Sequence, residues 1–150
     1  MEIWEVVARE CIRDLVTRYN TNGDSGRFDE VMDLFTDDAV MELDGPDGRR
    51  THRGHAEILT IFTGTKSRWA SELGDTSTSD AAPPYVRHRV TTHQIDVDDA
   101  THARGYSYYQ VLMPHGLDHW GRYFDRYEKV GDAWKFSYRR VTSEGHVNRP

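Results

Sequence analysis

This chain of 150 residues contains one cysteine, Cys11, so no disulfide can form within it. The lone thiol favours a reducing compartment. The first residues, MEIWEVVARE, carry acids and lack the basic run of a secretory leader, and the expectation is a cytoplasmic protein. Basic residues are outnumbered: 19 Lys and Arg face 25 Asp and Glu, a net charge of −6, which argues against a nucleic-acid partner because phosphate binding needs a basic face. No apolar run approaches the roughly 20 residues of a membrane-spanning helix. Internal repeats and low-complexity tails are missing. There is no glycine-rich phosphate loop, and neither Ser107 nor Ser137 has the glycine context of a nucleophile elbow, so covalent serine catalysis is unsupported. The length fits a single domain, 1–150.

What is present has clear periodicity. Trp4, Val7, Ala8, Cys11, Leu15 and Tyr19 recur at three- and four-residue steps, the apolar stripe of an amphipathic helix. Asn20, Asn22, Gly23 and Gly26 are poor helix formers and predict a break, followed by a second helix over about Arg27 to Phe35 with Phe28, Val31, Met32 and Phe35 inward. Asp24 or Ser25 would cap that helix. The segment AVMELDG reads as a strand closed by a GPDG hairpin turn. A third helix from Gly54 carries Ile58, Leu59, Phe62 and Trp69. Leu73 to Pro84 is a loop of small residues and prolines, long enough to suggest a functional flap or a mobile segment. Four segments rich in Val, Thr, Tyr, Phe and Trp follow between short turns: YVRHRVTTHQIDV, THARGYSYYQVLM, LDHWGRYFDRYEKV and AWKFSYRRVTS. Helices first and an antiparallel meander second make an α+β pattern. A curved sheet wrapped around helices leaves a concave apolar pocket.

Four pieces in this order, DLVTRYNTNGDSGRFDEVMDLFTDDAV, RGHAEI, VRHRVTTHQIDVDDATHARGYS and GRYFDRYEKVGDAWKFSYRR, resemble the SnoaL-like branch of the nuclear transport factor two-like superfamily. That branch contains polyketide cyclases, dehydratases and dehydrohalogenases. The resemblance implies a cone-shaped α+β barrel, with N-terminal helices packed into a strongly curved, mainly antiparallel sheet. In dehydratase and dehydrochlorinase members, an aspartate after the first helix orients a strand histidine that acts as general base. Asp24 and His88 match those positions. His119 falls near a second histidine of dehydratases, once a one-residue gap is allowed. Arg139 matches an arginine that holds a departing halide, and Tyr19 precedes Asp24 at the spacing of a tyrosine–aspartate pair. Gly23 and about Leu43 stand where a dehydratase relative has tyrosines, so that enzyme's own substrate is not expected. Tyr19 or Arg18 stands where the dehydrochlorinase has a lysine.

The residues themselves fit this chemistry. A neutral imidazole is a good base near neutral pH, and a buried carboxylate on one ring nitrogen fixes its tautomer and stabilises the imidazolium. Each residue also has a structural role to be set against it. Asp24 is a helix cap in water, His88 and His119 are ordinary strand polar groups, Tyr19 completes the helix stripe, and Arg139 or its neighbour Arg140 forms a surface ion pair. Tyr106 with Tyr108, and Ser107 with Tyr109, share strand faces; either pair is a candidate to line a pocket, and core packing is the default. The close histidine pairs, His52 and His55, His88 and His93, and His115 and His119, lack a recognisable carboxylate pattern, so no metal or cofactor is expected. The expectation is a cofactor-independent lyase or isomerase acting on a small, mostly apolar, oxygenated molecule. The alternatives are a polyketide-type cyclase with Asp24 as the sole acid/base, and a non-catalytic small-molecule binding or dimerisation module. A sheet face carrying Trp120, Tyr123 and Tyr127 would suit a homodimer or higher homo-oligomer.

Overall fold

The computed structural model describes residues 1–73 and 85–147. The expected loop therefore lies almost wholly outside the described residues, as does the side chain of Trp69. The chain runs α1 (Ile3–Asp24), α2 (Phe28–Met32), β1 (Phe35–Gly45), β2 (Gly48–Arg53), α3 (Gly54–Leu73), β3 (Arg87–Val97), β4 (His102–Met113), β5 (Gly116–Val130) and β6 (Ala133–His146).

Helix α1 opens on a capping box in which the Glu5 carboxylate accepts the Glu2 backbone N–H at 2.7 Å. It does not break at Asn20. It runs through Gly23 to Asp24, because Tyr19, Asn20 and Asn22 are buried against the rest of the fold and tertiary burial overrides weak propensity. The Asn22 amide oxygen accepts two bonds from the Arg27 guanidinium, at 3.0 and 2.9 Å. Gly26, at φ 73°, then turns the chain out of the helix. The buried stripe is Ala8, Ile12, Leu15, Val16 and Tyr19. Trp4, Val7 and Cys11 are exposed and belong to the outer edge, a correction of the expected stripe. The second helix is also shorter than expected. It ends at Met32, and Phe35, fully buried against Phe136 at a ring distance of 5.2 Å, starts β1 instead.

The six strands form one mixed sheet in the order β2-β1-β6-β5-β4-β3. Every pairing is antiparallel except β1 with β6. Helix α1 packs on β3 and β6 while α3 packs on β1 and β2, and the core lies between the helices and the concave face. This is the expected cone-shaped α+β architecture.

Bulges redirect the strands. Two residues, Thr91 and Thr92, oppose Tyr108 alone, and Asp118, Ser137 and Glu144 have no partner across the ladder. Each extra residue switches which side chains face inward. Tyr123 and Tyr127 are 2% and 1% exposed and point into the core, so the outer face expected to join them with Trp120 does not exist. Residues three apart on a strand lie on opposite faces, which separates Trp120 from Tyr123 from the outset. Instead Tyr106 packs edge-on against both Tyr108 and Phe124, with Arg122 and Arg140 over the Phe124 ring. Among the described residues no helix is long and apolar enough to cross a membrane.

Candidate active site

A cavity of about 1160 Å³ opens between the end of α1, helix α3 and the concave faces of β1 and β3–β6. Met41, Leu43, Phe62, Val86 and Val141 make much of its wall apolar. Gly23 and Leu43, which stand where the dehydratase resemblance expects phenols, both line it. Their small or aliphatic side chains widen the space and remove hydroxyl donors there.

Asp24 and His88, 64 residues apart, meet at the rim. The extension of α1 by a final turn carries Asp24 inward, where its side chain is 8% exposed. One carboxylate oxygen accepts the His88 backbone N–H at 2.8 Å and the other accepts the ring Nδ1–H at 2.6 Å. Because a carboxylate only accepts, Nδ1 carries a proton, and in the neutral ring Nε2 then keeps its lone pair. Two bonds from one residue hold both the backbone and the ring of His88, so orientation and tautomer are set together. Asp24 therefore does not cap α2, whose preceding residue, Arg27, makes no side-chain cap bond.

His119 reaches the same cavity from β5. His88 pairs with Val111, and Val111 pairs with His119, so the two histidines stand in one row across β3, β4 and β5. Alternation from a shared row puts them on one face, and their rings lie 6.4 Å apart and nearly perpendicular. Tyr109 stands beside both, at ring distances of 6.3 and 6.2 Å. Its hydroxyl crosses β5 at Gly121 and donates to the Thr142 carbonyl at 2.7 Å. A Cβ at Gly121 would sit 1.9 Å from that carbonyl oxygen, so only glycine permits the crossing. Burial raises the Tyr109 hydroxyl far above the ordinary phenol range. Of the two strand faces considered, Ser107 and Tyr109 are the inward one.

Reading of the sequence missed Asp118. Its buried carboxylate accepts His119 Nδ1–H at 2.7 Å and lies 3.0 Å from His115 Nε2. Ordinary alternation would send Asp118 and His119 to opposite faces. The bulge at Asp118 lets consecutive residues both line the cavity. His146, opposite His119 on β6, and Ser143 line it as well.

Tyr19 also lines the cavity, though only 7% exposed, and its ring packs edge-on against Phe35, Phe62, Tyr123 and Phe136. Burial raises its pKa, with Arg139 pulling the other way. Arg139 is not among the cavity-lining residues. It is fully buried behind Tyr19 and Tyr123, with its guanidinium 4.2 and 3.9 Å from those ring centroids. Nε and Nη2 donate to Asp125 at 2.8 and 2.7 Å. Burial alone would lower its pKa, but the charge and hydrogen bonds of Asp125 outweigh that and hold the guanidinium firmly protonated. Thus Asp24, His88, His119 and Tyr19 share the cavity, while Arg139 sits one layer behind it.

Comparison with known proteins follows this geometry. The sequence profile of the SnoaL-like domain matches residues 4–140. No protein of curated function matches the sequence. Among solved structures, the hexachlorocyclohexane dehydrochlorinase LinA-type3 of Novosphingobium barchaimii is similar with a TM-score of 0.76 and 18% identity, covering 98% of this chain and 93% of that one. A candidate scytalone dehydratase of Novosphingobium aromaticivorans gives 0.75 and 18%, covering 100% and 93%. The beta subunit of a candidate aromatic-ring-hydroxylating dioxygenase from the same organism gives 0.71 and 15%, covering 95% and 93%. At these identities the likeness is one of fold, and the same fold serves different activities.

Proposed function

The chain belongs to the SnoaL-like domain family, and on that premise we propose that it is a cofactor-independent lyase or isomerase acting on a small, mostly apolar, oxygenated molecule. His88 Nε2 removes a proton from a carbon next to a carbonyl or β to a leaving group. Asp24 orients the ring and stabilises the imidazolium. His119 assists the leaving group or the developing oxyanion, and Tyr19 faces the same space. Arg139, one layer back, contributes its positive field behind the Tyr19 ring. The observation that carries this reading is the double clamp of Asp24 on His88 at the edge of an apolar cavity. Two similar structures, a dehydrochlorinase and a candidate scytalone dehydratase, are named for elimination chemistry and support it.

The cyclase alternative, with Asp24 as sole acid/base, is less well supported because both Asp24 oxygens are engaged by His88. The likeness to a dioxygenase beta subunit supports the second reading, a binding or assembly role. The outward aromatic cluster of Tyr106, Tyr108 and Phe124 is where we place a homodimer contact, and a cytoplasmic location remains part of the proposal. The test is a panel of apolar β-hydroxy and β-halo carbonyl compounds, read by the ultraviolet absorbance of the conjugated product. Wild type turns over one class. His88→Ala folds normally and loses about a hundred- to ten-thousandfold in rate. Asp24→Asn loses less than His88→Ala; the reverse order favours the cyclase reading. A folded, fully active His88→Ala protein removes the mechanism, and binding without turnover by wild type supports the binding module.

A further inference from the structure

We propose that Asp118 is a positioning residue that makes His119 a general acid opposed to His88, so that the cavity holds two histidine–aspartate pairs of the same construction. This deepens, and rests on, the lyase reading above. Each pair joins a carboxylate to Nδ1: Asp24 to His88 at 2.6 Å and Asp118 to His119 at 2.7 Å. Each carboxylate is nearly out of solvent, with side chains 8% and 3% exposed, while each ring keeps partial exposure, 27% and 28%. A charge buried to that depth persists only where partners compensate it. Among the described residues Asp118 has His119 and also His115, whose Nε2 lies 3.0 Å from its second oxygen. Its backbone is held as well, because the Val147 N–H donates to the Asp118 carbonyl at 2.8 Å. A strand gives no route for residue 118 to join residue 119 in the cavity without the bulge, and the bulge falls at Asp118 itself.

Charge couples the two rings. Each carboxylate favours the imidazolium of its own histidine. Two imidazoliums whose rings lie 6.4 Å apart in a shielded cavity repel one another. That repulsion disfavours charging both rings at once, and the state with one ring charged and one neutral is an acid beside a base. His119 is faced by Asp118 and His115 from its own strand end, by His88 from β3, by Tyr109 from β4 and by His146 from β6, with Asp24 behind His88 on α1. Asp118 touches His119 directly and favours the imidazolium that can donate its Nε2–H, and the lyase reading makes His88 the base. In an elimination, His88 Nε2 takes the carbon-bound proton and the C–H electron pair becomes the new C=C bond. The C–O bond breaks, and the departing oxygen takes the proton from His119 Nε2. His88 ends as the imidazolium and His119 as the neutral ring, and exchange with water restores the starting state. In the addition direction the two exchange roles.

The first test needs neither substrate nor variant. Wild type carrying 15N-labelled histidine rings is followed by long-range proton–nitrogen correlation spectra. Neutral His119 is expected with its proton on Nδ1; a proton on Nε2 overturns the proposal. In Asp118→Asn the His119 tautomer reverses while the His88 signals, held by Asp24, stay in place and report an intact fold. An unchanged His119 tautomer in that folded variant also overturns it. Where the variant does not fold, the wild-type spectrum alone decides. With a substrate class found by the elimination panel, Asp118→Asn lowers kcat about a hundredfold or more while KM stays within about twofold, and Asp118→Glu recovers part of the rate. A loss confined to KM overturns the positioning role. No turnover by wild type sinks the lyase reading instead, and the spectra still settle how Asp118 holds His119.

Discussion

Asp125→Asn is the most informative single change outside the cavity, because it decides whether Arg139 is a structural cation or one held for a ligand. Both side chains are fully buried. Arg139 donates twice to Asp125, at 2.8 and 2.7 Å, and its guanidinium is enclosed by the rings of Tyr19, Tyr123 and Phe136 at 4.2, 3.9 and 4.3 Å. Among the described residues, Nη1 is buried without a hydrogen-bond partner, so Asp125 is the only carboxylate compensating this charge. An isosteric amide removes the negative charge, turns one acceptor into a donor aimed at other donors, and strands the guanidinium. Breaking a buried pair in this way costs about 3–5 kcal/mol. For a chain of this length each kcal/mol shifts the melting temperature by about 2–4 °C, so the expected loss is roughly 6–20 °C. At a urea m-value of about 2 kcal/mol/M the midpoint falls by roughly 1.5–2.5 M. Arg139→Met alone has a cost of similar size, because Asp125 then keeps only the Tyr127 hydroxyl, at 2.8 Å. The double variant Asp125→Leu with Arg139→Met lies within about 2 kcal/mol of wild type, since replacing both charges leaves none uncompensated. The assay is urea denaturation of wild type, Asp125→Asn, Asp125→Leu, Arg139→Met and the double variant, with the cycle closed by the Leu and Met variants, followed by tryptophan fluorescence and circular dichroism. An Asp125→Asn protein within about 1 kcal/mol of wild type, with no coupling in the cycle, would refute the reasoning. It would show that Asp125 does not carry the stabilisation of the guanidinium.

Other expectations follow from the same coordinates. Burial lowers the His93 pKa, with Asp125 opposing and Arg139 and Arg13 adding to the effect. The unfolded chain therefore binds this proton at about pH 6.5 while the folded chain still does not, so stability is complete above that pH, falls as pH drops toward the lowered value, and then levels off. The urea midpoint of wild type should fall more than that of His93→Gln between pH 7.5 and 5.5, and equal losses would contradict the assignment. Gly121→Ala places a methyl against the Thr142 carbonyl and should cost about 1–3 kcal/mol in a thermal melt, more than Gly64→Ala, where nothing stands within 4 Å. In labelled Asp24→Asn protein, the His88 ring proton should leave Nδ1 while His119 keeps its tautomer; a coordinated change in both would mean that the two pairs are not independent.

Much of the architecture was legible because it rests on local chemistry. The four late strands are separated by short polar turns and carry β-branched and aromatic residues, and they appear close to where composition places them. Ile58 near the start of α3 is fully buried, as its spacing implies. The end of α1 was not legible. Asn22 and Gly23 argue locally for a break, and only the contact of Asn22 with Arg27 and the burial of Asn20 show why the helix continues. The outer aromatic face failed for a related reason, since it joined residues that alternation separates. Asp118 was out of reach because its inward direction depends on an unpaired residue that exists only when β4 and β5 are in register.

Composition and periodicity by themselves determined an acidic α+β fold without an internal disulfide, and family-like positions made Asp24, His88 and His119 worth testing. Tertiary structure alone decided that Asp24 grips His88 twice, that Arg139 lies behind the cavity in a pair with Asp125, and that Asp118 turns inward to hold His119. The physical reason is one of range. Helix stripes, strand composition and turn residues act over a few neighbours and are written in order along the chain. Bulges, strand register and the burial of charge are set by partners tens of residues away, and they choose the direction of a side chain only once the sheet has closed.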